Sequence, residues 1–123
     1  MRRQDDFAAN GMVSIWVGNF KTSAEFDDYM NLSRDFETDF GFEISDRDIR
    51  EADVTSSPQT IEQLLSPFSD SKSFSAPATE AARRLGIDRA TTAIVFHFLR
   101  FDPSQVQTNP KAPLTFIGAF PLS

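Results

Sequence analysis

The stretch Val13-Ser14-Ile15-Trp16-Val17-Gly18-Asn19-Phe20 constrains the fold more than any other part of this chain. It is rich in β-branched and aromatic residues and runs into Gly18-Asn19, the pattern of a strand that ends in a bend. The one tryptophan of the sequence sits in its middle. A buried indole calls for large packing partners and an acceptor for its N–H, so Trp16 is the expected centre of a core. Near the C-terminus, Leu114-Thr115-Phe116-Ile117-Gly118-Ala119-Phe120 echoes the order aromatic, β-branched, Gly, small residue, Phe. The echo predicts two strands of one sheet ending in similar bends, with Pro121 stopping the second.

Between these stretches the chain alternates in character. Thr22-Ser23-Ala24-Glu25 reads as a capping box, followed by a helix whose apolar stripe is Phe26, Tyr29 and Met30. Ser33 is the expected cap of a second short helix carrying Phe36 and Phe40, and Gly41 its end. Phe42 and Ile44 alternate with polar residues, as in a short extended segment, and Ala52-Asp53-Val54 suggests another. Ser56-Ser57-Pro58 predicts a helix start, with Ile61, Leu64, Leu65 and Phe68 on its buried side and Pro67 ending it. A further helix is expected from Ser75-Ala76-Pro77, burying Ala78, Ala81, Ala82 and Leu85 before Gly86-Ile87.

Thr91–Phe101 is the longest apolar run, and both of its alternating faces are apolar. It is therefore read as a central strand covered on both sides. A polar loop over Asp102–Pro113 leads to the last strand, expected to lie antiparallel beside it. The prediction is an α+β fold: a small, mainly antiparallel sheet, strands near 12–20, 92–101 and 114–120, with helices packed on it. Residues 1–11 contain two arginines but no apolar run behind them, so they are read as a flexible extension and not as a secretion signal. Residues 12–123 are expected to form one domain, a length at which roughly two-thirds of the unfolded surface is buried.

Composition narrows the chemistry. With no cysteine there is no disulfide, thiolate metal site or cysteine nucleophile, and a reducing, cytoplasmic location is expected. No apolar run approaches the roughly 20 residues that cross a bilayer. From Glu25 to Asp53 eleven acids face three bases, a net of −8 against −6 for the whole chain, so the remainder is positive by two. Such a segment is either a face that attracts a basic partner or a solvated surface that keeps a chain with thirteen phenylalanines soluble. Nucleic acid is a poor direct partner for so acidic a chain. Asp46-Arg47-Asp48 with Glu51 lacks the spacing of a calcium loop, so no metal or other cofactor is expected. His97, the only histidine, lies inside the most apolar strand and reads as a core or strand-edge residue.

Ser14-Ile15-Trp16-Val17-Gly18-Asn19-Phe20, then Ser23 and Phe26 to Tyr29, Asp39-Phe40-Gly41-Phe42, the acidic run Asp46 to Glu51 and the closing Phe116-Ile117-Gly118-Ala119-Phe120-Pro121 resemble the bacterial immunity protein 22 family. The resemblance runs from about Met12 to Pro121. It implies an α+β antidote protein of polymorphic toxin systems, encoded beside a secreted toxin whose toxin domain it binds. The segment between Tyr29 and Asp39 is shorter than the family pattern, and Arg47 interrupts the acidic run. On this reading the toxin contacts are Asp27, Asp28, Asp35, Asp39, Glu43, Asp46 and Asp48, with Tyr29 or Phe42 as aromatic anchor. Trp16, Gly18, Phe20, Phe40, Gly41, Phe116, Gly118 and Phe120 are assigned to the fold. The free protein is expected to be a monomer or weak dimer. Two alternatives stay open: a small hydrolase using a carboxylate pair between Asp46 and Glu51, and a ligand-binding or scaffold domain without a toxin partner.

Overall fold

The alternation of Val13, Ile15 and Val17 with Ser14 and Trp16 sends apolar side chains to both faces of one strand, and the whole architecture follows from that. The computed structural model describes residues 1–122. In chain order the strands are β1 (Arg2–Arg3), β2 (Ala8–Gly18), β3 (Phe42–Glu43), β4 (Arg50–Thr60), β5 (Arg89–Leu99) and β6 (Leu114–Pro121). The helices are α1 (Ser23–Asp27), which runs into a π turn over Asp28–Leu32, then α2 (Asp35–Phe40), α3 (Ile61–Leu65) and α4 (Ser71–Arg84). Strands β4-β5-β2-β6 form a four-stranded antiparallel sheet in that order, and β1 pairs in parallel with β3. The α+β prediction holds.

One face of the sheet packs Val13, Ile15, Val17 and Val95 against Ile61, Leu64, Phe74, Ala78 and Ala82 of α3 and α4. The other is aromatic. Trp16 is fully buried there among Phe36, Phe40, Phe42, Phe96 and Phe101, with ring centroids 5.2–6.3 Å away, and Phe116 lies at 4.9 Å. The central strand β5 divides in the same way, with Ala93 and Val95 on the helical side and Ile94 and Phe96 on the aromatic side. The acceptor expected for the indole is missing: Trp16 Nε1 is buried with no hydrogen-bond partner among the described residues. Phe36, Phe40 and Phe96 stand T-shaped to the indole, the arrangement in which a ring edge meets a π face.

Several expectations are corrected. β6 does not lie beside β5; it pairs with β2, which separates the two. The Asp102–Pro113 connection is long enough to step over a strand, whereas a hairpin needs only about 2–5 residues. The glycine echo also has another meaning. A Cβ on Gly18 would stand 2.5 Å from the Pro113 carbonyl oxygen, so this strand end is glycine because the next strand begins against it. Gly118 lies opposite Ile15, where the β2–β6 register shifts, inside the strand and not at its end. That shift places Phe116 against the aromatic layer and Phe120 in the helical one, although simple alternation would give them one face.

Residues 1–11 are not outside the fold. Arg2–Arg3 pairs with Phe42–Glu43, Gln4 and Phe7 are buried, and β2 begins at Ala8. The helix expected at Ser56-Ser57-Pro58 is strand instead. β4 is an edge strand whose ladder breaks between Val54 and Gln59, so Pro58 sits where its missing N–H costs no pairing. α3 starts after Thr60, which forms a capping box with Gln63. α4 begins at Ser71, and Pro77 lies inside it, on an exposed position. Ser33 donates to the Asp28 carbonyl and closes the π turn, leaving Arg34, at φ 58°, to precede α2. Phe36 and Phe40 are buried as predicted, and Gly41 ends the helix at φ 77°. No helix is long and apolar enough to cross a membrane.

Candidate functional site

The acidic segment wraps the aromatic face and ends at the β4 edge. Some of its carboxylates are consumed by the fold. Glu37 is buried, accepting from the Ile44 N–H at 2.7 Å and from the Arg34 guanidinium through both oxygens. Asp39 accepts from the Tyr29 hydroxyl at 2.8 Å and from Asn109 Nδ2 at 3.0 Å, tying the helical region to the β5–β6 connection. Burial, then the hydrogen bond to Asp39 and that carboxylate's charge, push the Tyr29 phenol far up, so it stays a neutral donor.

Asp27, Asp28, Asp35, Glu43, Asp46 and Asp48 are exposed. Two of their groups are drawn toward one another. Asn31 donates to Asp27 at 2.6 Å and accepts from Arg50 Nη2 at 2.7 Å, which holds the π turn against the start of β4. Burial, followed by the charge of Arg47, lowers the Arg50 pKa, and Asp27 opposes that shift. The Asp46–Asp48 turn leads directly into this strand and is fixed from both sides. Asp46 Oδ1 accepts the Asp48 N–H at 2.9 Å, while buried Gln4 accepts from the Ser45 and Asp46 N–H groups and donates to the Asp46 carbonyl. Asp27 thus reaches Arg50 through Asn31, and the Asp46–Asp48 turn leads into the same strand.

The expected aromatic anchors are not exposed beside these acids. Phe42 is 0% exposed and Tyr29 6%: Tyr29 lies on the helical stripe that packing covers, and Phe42, in the short strand β3, belongs to the aromatic layer. Phe40 is buried as well, and Phe20 is half-buried against Phe26 and Tyr29. The exposed aromatic that sequence reasoning missed is Phe98.

Glu51 has other partners than Asp46. Its Oε2 accepts the Ser69 N–H at 3.2 Å, and its Oε1 lies 3.1 Å from His97 Nε2, so it joins the α3–α4 connection to the sheet. Asp46 and Glu51 are therefore engaged by different elements. Among the described residues no three His, Asp or Glu side chains converge as a metal site would require. Burial alone would raise the Glu51 carboxyl, but hydrogen bonds from Ser69 and the His97 contact outweigh it and hold the group below its ordinary 4.5. A depressed folded-state pKa stabilises above the unfolded value and is lost as pH falls through the folded one. Glu51→Gln is therefore expected to be less stable than wild type at neutral pH, with the gap closing below pH 4.5. Urea unfolding across that range measures it; a constant gap would refute the linkage.

A cleft of about 520 Å³ opens between the N-terminal segment and β6, lined among others by Asp6, Phe7, Arg100, Phe101 and Phe116. It contains no nucleophile with a base beside it.

The model of the family described as Immunity protein 22 matches residues 13–122. The chain belongs to that family. The match spans the sheet from β2 to β6, and with it both core layers and the acidic segment. No curated protein and no solved structure matches the chain. Immunity protein 22 membership covers the exposed acids of α1, the π turn and the Asp46 turn along with the rest of the sheet.

Proposed function

We propose that the chain is an immunity protein that binds and neutralises a cognate toxin domain by covering part of it, without turnover, and that its acidic rim is the surface presented to the toxin. The observation that carries this reading is that Asp27, Asp28, Asp46 and Asp48 are exposed on the two segments that flank the start of β4, in a member of the Immunity protein 22 family. Toxins that act on nucleic acids present basic clefts, and an acidic rim is complementary to such a cleft in sign. Asp35 and Glu43 extend the same charge along the outside of the aromatic layer. The proposed action is inside the producing cell, where the antidote must meet its toxin.

The test is co-expression with the C-terminal domain of the toxin encoded beside the chain. Cells are expected to survive the toxin domain only when the chain is present, and the two proteins should co-purify as one complex. Killing that continues at full strength with the chain abundantly expressed would overturn the proposal.

A further inference from the structure

We infer that Phe98 is the aromatic contact through which the chain grips its toxin, and that the toxin presents an Arg- or Lys-bearing surface to it; this deepens the immunity reading and rests on it. Phe98 lies within β5 yet is 53% exposed. It belongs to neither buried cluster and is not among the partly buried residues packed against them. Its backbone has φ 56°, the left-handed region, where a bulky side chain is an outlier. Such a conformation persists only where the surroundings impose it.

Here they do. Ala8 pairs with Leu99 and Val13 with His97, so residues 9–12 of β2 stand opposite Phe98 alone. On one side Leu99 is fully buried. On the other the His97 N–H donates to the Ile49 carbonyl at 2.9 Å and the His97 ring contacts Glu51. The Phe98 ring is thus displayed from a strand whose neighbours are locked, which reduces the entropy lost on binding.

Charge selects the partner. Ile49 directly follows Asp48, so its bond to His97 continues the β4–β5 register and brings the exposed Asp48 opposite Phe98. A cation over the ring face is attracted by the ring quadrupole, and flanking carboxylates add to that attraction. Arg47 and Arg100 balance Asp46 and Asp48 in formal charge, so the attraction comes from the ring face with the Asp48 carboxylate opposite it and not from a net local charge. A second copy of the chain is disfavoured, because each copy carries a formal net charge of −6.

The experiment titrates the purified C-terminal toxin domain against wild type, Phe98→Gly and Phe98→Tyr by calorimetry at physiological salt. Glycine adopts the left-handed conformation without steric cost, so the melting temperature of Phe98→Gly is expected to stay within about 5 °C of wild type. Its affinity is expected to fall about tenfold or more, while Phe98→Tyr, which keeps the ring, binds like wild type. Phe98→Asn, also at ease in this conformation, is expected to repeat the glycine result. Wild-type affinity in both ring-less variants would overturn the inference, as would a collapse in the stability of both, which would make Phe98 a support of the core. A wild-type dimer that Phe98→Gly dissociates with toxin binding intact would also overturn it, assigning the ring to self-association. Failure of wild type itself to bind would remove the immunity reading together with this one, whereas loss of the Phe98 effect alone leaves that reading standing.

Discussion

Replacing Trp16 with alanine is expected to cost about 3–5 kcal/mol of stability, the range for truncating a large buried aromatic. Total stabilities of small domains are about 5–15 kcal/mol, so this one change removes a large share. The site argues for the upper part of the range. Trp16 is fully exposed to its neighbours and not at all to solvent: Phe36, Phe40, Phe96, Phe101 and Phe116 all bring ring centroids within 5.6 Å of it. These rings come from α2, β5, the β5–β6 connection and β6, which cannot all shift inward to fill the space. Trp16→Phe makes a sharper comparison. It loses volume, but it also removes an indole N–H that is buried without a hydrogen-bond partner, so its cost should be well below that of the alanine change. Urea unfolding followed by far-ultraviolet circular dichroism measures both. A loss under about 1 kcal/mol for Trp16→Ala would show that the aromatic layer does not depend on its centre.

The same strand shows how far local sequence can be read. Alternation placed β5 in the interior with both faces covered and marked Val13 to Phe20 as a strand around which a core gathers, because the two core layers are written into Val13 to Val17 and Ala93 to Phe96 at period two. Phe36, Phe40 and Gly41 were equally legible, since helix spacing and a left-handed stop are local properties. Partner choice is not local. Leu114–Phe120 reads as a strand, but whether it lies beside β5 or beyond β2 depends on the path of the Asp102–Pro113 connection. β4 was largely hidden because an edge strand of Thr, Ser, Pro and Gln buries little, and Ser56-Ser57-Pro58 imitates a helix start more loudly than the true box at Thr60 and Gln63. Phe7 is a lone apolar residue among polar ones, so nothing periodic announces that it plugs the aromatic layer.

For the candidate surface the lesson is stricter. The acids could be found by counting, but their division into structural and exposed sets could not. Glu37 and Asp39 look like their neighbours in sequence and differ only in what folds over them. Tyr29 is unavailable to a partner for a reason already present in the sequence, since it lies on the stripe that packs against the sheet, whereas Phe42 is covered because its short strand closes the aromatic layer. Phe98 could not have been singled out, because its exposure comes from a bulge set by residues 9–12 on another strand.

If the rim is the docking surface, reversing charge there should slow association with the toxin more than the same change elsewhere. Asp28→Lys with Asp48→Lys moves the formal net charge from −6 by four units toward neutrality and leaves Asp46, whose side chain holds the turn, in place. Both positions are exposed. The expected result is an association rate lower by about 10- to 100-fold at low ionic strength, with a smaller change in dissociation, because rim charges act mainly on diffusional encounter. At about 1 M salt, where the screening length is near 3 Å, most of the difference should vanish. The control is Glu62→Lys with Asp88→Lys, which changes net charge equally at two other exposed positions, Glu62 lying on α3 across the sheet from the aromatic layer. Net charge alone predicts equal slowing by both pairs; a docking rim predicts that only the first pair matters strongly. Stopped-flow mixing with the toxin domain at several salt concentrations separates the two, and equal slowing would remove the rim from the interface. Such a result would leave the family assignment untouched, since that rests on residues 13–122 as a whole and not on where the toxin sits.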